Sequence, residues 1–147
     1  MIGEKVFNDV FFKGIQNKLE ESSYNPVVSK RNPESNVFPR VIAKLYQTSN
    51  RFTTLTYGEI RYPFRVEIDV YAIDVNQNGE KVAKRTVCNE ITDLIESYFN
   101  ENFKVFITRN DDTQNIDGNV QRNNMKISGV IDTKYGDELT NIIIYPQ

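Results

Sequence analysis

Apolar residues recur with two different periods along the chain. Residues 4–20 carry them every three to four positions, which predicts an amphipathic helix with the stripe Phe7, Phe11, Ile15 and Leu19. Gly14 interrupts that helix and is expected to mark a close contact with another element. Residues 80–100 predict a second helix, with an apolar side made of Val87, Ile91, Leu94, Ile95, Tyr98 and Phe99.

Strict alternation of apolar and polar residues predicts the strands. It covers residues 40–47 and, most clearly, residues 60–73, where one side holds Tyr62, Phe64, Val66, Ile68, Val70 and Ala72. The two segments predict a long antiparallel hairpin over about 38–73 that projects from the core as an arm. Pro63 lacks an N–H, so its end of the strand is expected at an edge or outside the ladder.

The remaining segments complete a single domain over 1–147. C-terminal strands are predicted within 103–145, at 103–108, 120–131 and 142–145. Polar, turn-forming residues dominate a linker at 21–36, loops at 48–58 and 109–119 and a turn at 74–79. The linker is long enough to be expected as an exposed arm or a functional loop. The fold class is α+β: one mixed, mainly antiparallel sheet with both helices packed on one face.

Composition fits this domain, and charge adds an asymmetry to it. The 147 residues are 39% hydrophobic with a net charge of −2, so no strongly basic balance points to nucleic acid. Residues 30–65 hold seven basic residues against Glu34 and Glu59, whereas the chain from Asp74 onward holds 8 basic and 12 acidic residues. The asymmetry favours either a solvated surface of mixed charge or complementary patches through which copies of the chain meet.

Missing residue types exclude several chemistries. The chain has no histidine and one cysteine, so it cannot form a Ser-His-Asp triad, a histidine-ligated metal site or an intrachain disulfide. Cys88 is expected to be a small buried hydrophobic residue. Without a long apolar run or a signal peptide, the chain is expected to be a soluble protein of a reducing cytoplasm, with no membrane partner. Nothing in the sequence predicts a cofactor.

Two acidic motifs suggest metal binding, and each has a simpler explanation. Asp74-x-Asn76-x-Asn78-Gly79 matches the first half of a calcium loop, but Arg85 occupies the twelfth position, where a glutamate is needed. A polar turn before the second helix explains the same residues. Glu67 and Asp69 share a strand face about 7 Å apart, as a metal-dependent nuclease would need. Charge pairing with Arg65 on a solvated face is the favoured interpretation.

Two further clusters are interpreted in the same way. The acidic residues of the loop at 109–119 are expected to be solvent-exposed. Aromatic residues among basic ones, such as Phe38, Tyr57 and Tyr62, could bind single-stranded nucleic acid, but half-buried strands produce the same mixture. These residues define no active site. A mixed domain with an exposed hairpin and polar loops is instead typical of assembly proteins.

The order of these elements resembles the tail terminator, or tail completion, proteins of long-tailed bacteriophages. The resemblance runs from about Val37 to Asp132, with the N-terminal helix in the expected place. It is carried by Val-Phe-Pro-Arg-Val at 37–41, the aromatic-rich strand Tyr-Pro-Phe-Arg-Val-Glu-Ile-Asp-Val-Tyr at 62–71, the helix before Phe103, and a last strand with Arg122 and Ser-Gly-Val-Ile-Asp at 128–132. The ending Ile-Ile-Ile-Tyr at 142–145 has no counterpart in this resemblance.

The resemblance implies a structural, non-enzymatic virion protein. Such proteins form a hexameric ring that caps the tail tube, ends its polymerisation and offers a surface to the head–tail connector. Its place would be the head-proximal end of the tail, after assembly in the bacterial cytoplasm. DNA would pass through the lumen without specific binding. Another neck, head-completion or adaptor protein is the alternative, and a carboxylate-dependent metal nuclease is a third.

A ring needs two different patches on each subunit. We expect the subunit interface to use basic and acidic residues of the hairpin together with acidic residues of the second helix: Arg40, Lys44, Arg61, Arg65, Glu67, Asp69, Glu90 and Asp93. The two polar loops are the candidates for contact with the tube or the connector, through Arg51, Phe52, Asp111, Asp112 and Asp117.

Overall fold

A computed structural model describes residues 2–31, 37–46, 52–53, 60–113, 117–133 and 142–145. The first helix, α1, is continuous through three segments: Ile2–Val6 (α), Phe7–Phe12 (π) and Lys13–Leu19 (α). The second, α2, is Lys84–Asn102. The strands are β1 Val27–Ser29, β2 Arg40–Leu45, β3 Phe52–Thr53, β4 Ile60–Ala72, β5 Val75–Gln77, β6 Glu80–Val82, β7 Phe106–Asn110, β8 Gln121–Thr133 and β9 Ile142–Tyr145.

The main sheet is built around the pair β4 and β8. The strand order is β1-β2-β4-β8-β7, with β3 also paired to β4 and β9 also paired to β8. Only β1 and β2 run parallel, so the sheet is mixed and mainly antiparallel. Both helices pack on one face of it, and the described residues confirm the predicted α+β class.

The predicted hairpin is present, but it is not a two-stranded arm. β2 pairs antiparallel with β4 from Arg40↔Tyr71 to Leu45↔Val66. β4 also pairs along its whole length with β8, from Ile60↔Thr133 to Ala72↔Gln121, so the strand lies inside the sheet. Alternation identifies which face of a strand is buried but says nothing about which distant strand will pair with it.

Pro63 lies at a position of β4 where an N–H is not needed. The carbonyl of Arg65 accepts a hydrogen bond from the N–H of Tyr46, at 2.8 Å, so odd-numbered residues of this stretch direct their backbone polar groups to the β2 side. β2 ends at Leu45, before it reaches Pro63, and β3 pairs only with residues 60 and 61. Pro63 is nevertheless in register with Val130 inside the β4–β8 ladder, so the predicted place at an edge or outside the ladder was wrong. The missing N–H is tolerated because it would point away from β8.

Two predicted boundaries were wrong. The linker at 21–36 contains β1, which pairs in parallel with β2; residues 32–36 lie outside the described range. The second helix begins at Lys84 rather than at residue 80, because β5 and β6 form a small hairpin. Its turn is Asn78-Gly79, and both residues have positive φ, 53° and 81°, as a type I′ turn requires.

The π-helical segment explains how α1 buries residues spaced four apart. Phe7, Phe11, Ile15 and Leu19 are all at most 5% exposed. In a 3.6-residue α-helix a strict four-residue spacing drifts around the helix axis, whereas a π turn holds more than four residues and reverses the drift. The carbonyl of Val10, inside the π segment, accepts a hydrogen bond from the Tyr98 hydroxyl at 3.0 Å.

Gly14 is the close contact between the two helices that the sequence predicts. A Cβ atom added at Gly14 would lie 1.8 Å from the Tyr98 hydroxyl oxygen and 2.1 Å from the Tyr98 ring carbon that bears it. Burial raises the pKa of Tyr98 to about 12, which keeps its hydroxyl protonated as the donor to Val10. Only the absence of a side chain at position 14 lets the tyrosine reach α1.

We predict that Gly14→Ala destabilises the protein by about 1–3 kcal/mol, because overpacking displaces Tyr98. Helix propensity alone would have made the same change favourable by about 1 kcal/mol. Chemical denaturation monitored by circular dichroism measures the difference. Gly118→Ala is the matched control, since a Cβ there has open space and the change should stay within about 0.5 kcal/mol. Equal effects of the two substitutions would contradict the contact.

Candidate functional site

The face of the sheet that points away from the helices collects much of the predicted subunit interface. Val41 and Ala43 of β2 belong to the core beneath the helices, so Arg40, Ile42 and Lys44 point to the other side, where Ile42 is itself buried. The same alternation directs Arg65, Glu67 and Asp69 of β4 to that side. We call this surface the open sheet face; its polar and aromatic residues are Arg40, Lys44, Arg65, Glu67, Asp69, Tyr71, Arg122, Asn124 and Lys126.

The paired carboxylates of this face are bound by residues of β8. The Asn124 side-chain amide donates to Glu67 at 3.0 Å and to Asp69 at 2.9 Å. Arg122 donates to the same Asp69 oxygen from its Nε and Nη2, at 3.0 and 2.9 Å. The partner of Asp69 is therefore Arg122 and not Arg65, because the β4–β8 register brings Arg122 and Asn124 alongside.

Because Glu67 and Asp69 are already bonded to Arg122 and Asn124, they are poorly suited to bind a metal ion. Within the residues that the structure describes, no three histidine, cysteine, aspartate or glutamate side chains are arranged to hold a metal ion. Lys44 of β2 and Lys126 of β8 are far from Glu67 in sequence, but the sheet pairs them in register on either side of it. They place positive charge beside this carboxylate, as expected for a cross-strand ion-pair ladder.

Arg40 occupies an aromatic sandwich at the end of the open sheet face. Its guanidinium carbon lies 4.7 Å from the ring centre of Phe38 and 4.8 Å from that of Tyr71. Tyr71 in turn lies between Arg40 and Arg122 in register, and the Arg122 guanidinium is 5.9 Å from its ring centre. The Arg40 Nε is buried without a hydrogen-bond partner, so ring stacking holds its guanidinium plane.

The other two predicted interface residues with described side chains, Glu90 and Asp93, lie on the far side of the molecule, on α2. The Tyr24 hydroxyl donates to Glu90 at 2.5 Å, and this hydrogen bond, with burial, raises the pKa of Tyr24 to about 12. Asp93 accepts from Arg109 at 2.5 Å. Arg61 lies in β4, where it pairs with Phe52 of β3.

Arg109 connects α2, β7 and the following loop through three carboxylates. It lies 2.5 Å from Asp93, 2.8 Å from Glu96 and 2.6 Å from Asp111. Burial alone would lower the pKa of Arg109, but the hydrogen bonds to Asp111, Glu96 and Asp93 outweigh it and raise it. Asp111 is exposed, as predicted, and its pairing with Arg109 also anchors the acidic loop to α2 and β7.

A shallow groove of about 380 Å³ lies between α2 and the turn that follows α1. Its lining combines carboxylates and hydroxyls around one apolar residue: Glu21, Ser22, Ser23, Tyr24, Glu90, Asp93, Leu94 and Ser97. We call it the acidic groove. Lys18 approaches Glu21 to 3.2 Å at its rim, and the Tyr24–Glu90 hydrogen bond crosses it.

The predicted contact loops are only partly described. Arg51 lies outside the described residues, and Phe52 belongs to β3. Asp112 has a positive φ of 60° and accepts from the Gln121 side chain at 3.0 Å, while Asp117 accepts from the backbone N–H of Asn119 at 2.9 Å. Both acids shape the loop through local hydrogen bonds.

The calcium-like motif has a structural role instead. The Asp74 carboxylate accepts from the backbone N–H of Lys84 at 2.8 Å and so caps α2 from ten residues upstream. That hydrogen bond, with one from Lys81, holds the pKa of Asp74 below its ordinary value. Residues 76–79 form the strand and turn of the small hairpin. The motif therefore builds a hairpin and a helix cap, and its oxygens do not act together as a calcium loop.

Sequence reasoning missed a buried polar network between α2 and the sheet. Asn123 of β8 is fully buried, and its amide donates to Asn89 at 2.8 Å and to Thr92 at 3.1 Å. Its carbonyl oxygen accepts from the backbone N–H of Asp112 at 2.9 Å. The signal was available: position 123 falls on the apolar side of the β8 alternation, where a polar residue must find buried partners.

Cys88 is buried as predicted. Its thiol contacts the carbonyl oxygen of Val70 at 3.3 Å, and burial raises its pKa to about 12. A protonated, inaccessible thiol is not a nucleophile.

No protein-family model matches this chain, and no curated protein does. No helix in the described ranges is both long and apolar enough to cross a membrane. Function must therefore be inferred from the surfaces described above.

We predict that Asn123→Ala destabilises the protein by about 1–3 kcal/mol, because the Asp112 N–H and the Thr92 hydroxyl lose a buried partner. Denaturant unfolding measures the change. Asn119→Ala is the control: this asparagine is exposed, and only its backbone N–H is bonded. If both substitutions cost the same, the network does not stabilise the fold.

We also predict that Cys88 resists alkylation in the native state. With its pKa at about 12 and its side chain enclosed, maleimide should label it about a thousandfold more slowly than in the unfolded chain. The rate is read by mass spectrometry at mild alkaline pH. Ser23→Cys adds an exposed thiol to the same chain as an internal standard. Labelling of both thiols at one rate would show that Cys88 is accessible.

Proposed function

We propose that this chain is a structural virion subunit that forms a ring on the head-proximal end of a phage tail tube. The ring ends tube polymerisation and offers a joining surface to the head–tail connector. This function rests on the resemblance in the order of elements, to which the α+β fold adds support. It requires no cofactor.

The observation that carries the proposal is the separation of charge across the sheet. The open sheet face holds five basic residues against the two acids Glu67 and Asp69, while Glu90 and Asp93 belong to the helix side. The five are Arg40, Lys44, Arg65, Arg122 and Lys126. Two different, oppositely charged patches on opposite sides of a subunit suit head-to-tail contact, which closes into a ring when the rotation per subunit allows it. Complementary charge also steers each copy into one orientation.

The same geometry leaves other surfaces for the partners. With the open sheet face and the outer side of α2 occupied by neighbouring copies, the described part of the loop at 109–119 is available to the tube protein or the connector. The loop at 48–58 stays a predicted contact, because all but residues 52 and 53 lie outside the described ranges. The hydrogen bonds of Asp111, Asp112 and Asp117 order the described part of the second loop, which lowers the entropic cost of such a contact. DNA would pass through the lumen of the ring.

We predict that the purified chain forms annular particles at high concentration, closed by head-to-tail contacts and with about six copies, the number that the resemblance implies. Light scattering gives the mass, and negative-stain microscopy of the same sample gives the shape. Deletion of the gene from the phage should produce overlong or headless tails. A stable small oligomer with no effect on tube length would favour an adaptor protein instead.

Reversal of charge on β4 tests the interface. Arg61→Glu with Arg65→Glu should abolish ring assembly, because it turns a basic patch acidic where it meets the acidic side of the next copy. Lys13→Glu, at an exposed position of α1, reverses a single charge on the helix side and should leave rings intact. Unchanged rings in the β4 variant would remove these residues from the interface.

A further inference from the structure

Arg40 differs from Arg109 and Arg122 in the partners of its guanidinium group. Arg109 is neutralised by three carboxylates and Arg122 by Asp69, so both charges are satisfied inside the chain. Among the described residues, Arg40 contacts two aromatic rings, Phe38 and Tyr71, rather than a carboxylate. Within the described ranges no carboxylate neutralises its charge, and the residue is half-buried on the open sheet face.

The sandwich also fixes where that charge is presented. A surface arginine ordinarily samples many rotamers, and ordering it on binding costs about 0.5–1.5 kcal/mol. Stacking between Phe38 and Tyr71, with Nε enclosed, has already restricted the Arg40 side chain. Arginine and tyrosine are enriched among the residues that contribute most to binding at protein interfaces.

The acidic groove provides a complementary receptor for such an anchor. Glu90 and Asp93 line it from α2 and Glu21 from the turn after α1, with serine hydroxyls between them. Planar guanidinium groups bind carboxylates through paired, charge-assisted hydrogen bonds. The groove and Arg40 lie on opposite sides of the sheet, so a chain cannot fill its own groove with its own Arg40.

We propose that Arg40 of one copy, held in place by its two rings, binds the carboxylates of the acidic groove of the next copy and is the anchor of a head-to-tail contact. The occupant is a second copy of this chain, because its charges complement the groove. The inference rests on the proposed function, because it specifies which residues of two neighbouring copies meet in the ring. Glu90 is the principal acceptor: it is exposed and carries one described hydrogen bond, from Tyr24, whereas Asp93 is held by Arg109.

A charge swap tests the contact in the full-length chain. Arg40→Glu and Glu90→Arg should each weaken self-association about a hundredfold, because each leaves like charges facing one another. The two substitutions in one chain should restore association, since the pair is then complementary again. Sedimentation velocity over a concentration series measures the association constant. Arg85→Glu, another exposed arginine, carries an equal change of charge and should have little effect.

Two milder variants guard against a folding defect. Arg40→Lys keeps the charge but loses the planar fork, so association should weaken about tenfold while the melting temperature stays close to that of the wild type. Glu90→Gln removes the negative charge of the acceptor at an exposed position of α2, so association should weaken while the fold is unchanged. This variant tests the groove even if a substitution at Arg40 unfolds the chain.

Failure of this contact is distinguishable from failure of the proposed function. Rings that form normally with Arg40→Glu, or a charge swap that restores nothing, overturn the contact while the ring stands. A wild-type chain that remains monomeric but still caps tail tubes overturns it as well. Loss of binding to a fluorescent single-stranded DNA in Arg40→Glu, with unchanged sedimentation, would assign the open sheet face to nucleic acid instead.

Discussion

The antiparallel ladder between β4 and β8 determines the position of nearly every other element. Its thirteen residue pairs run from Ile60↔Thr133 to Ala72↔Gln121. β2 and β3 add to the free edge of β4, and β7 and β9 add to the free edge of β8. One side of the ladder buries Phe64, Val66, Ile68, Val70, Met125 and Ile127, and both helices must pack there to cover it. The opposite side is left to polar and aromatic side chains.

A few specific contacts fix the helices on that apolar face. The missing side chain at Gly14 lets Tyr98 reach the Val10 carbonyl, which joins the two helices. Asn123 joins α2 to β8 and to the loop that precedes this strand. Apolar burial is non-directional, so it supplies stability without fixing angles, whereas these hydrogen bonds have strict geometry. They specify one arrangement of helices on the sheet.

The same ladder separates the charges of the molecule. Strand alternation directs Arg40, Lys44 and Arg65 away from the helices, and the outer surface of α2 carries Glu90 and Asp93. Other charges form salt bridges within the chain, as in the Arg122–Asp69 pair, and Asp93 itself is paired with Arg109. Among the described residues, Arg40 and the acidic groove face opposite directions, and the proposed head-to-tail contact between copies would use both.

The sequence by itself determined the fold class, the second-helix stripe and the inward residues of β4 and β8, because these follow from local periodicity. It also identified the close contact at Gly14, since a glycine inside a helix needs a reason. Only the tertiary structure decided that β4 pairs with β8, that Asp69 meets Arg122 rather than Arg65, and that Arg40 stacks between Phe38 and Tyr71. The small hairpin before α2 had a local signal in Asn78-Gly79, but β1 had none. Periodicity reports which way a side chain points, whereas its neighbours come from strands far away in sequence, and their register is set by packing of the whole sheet.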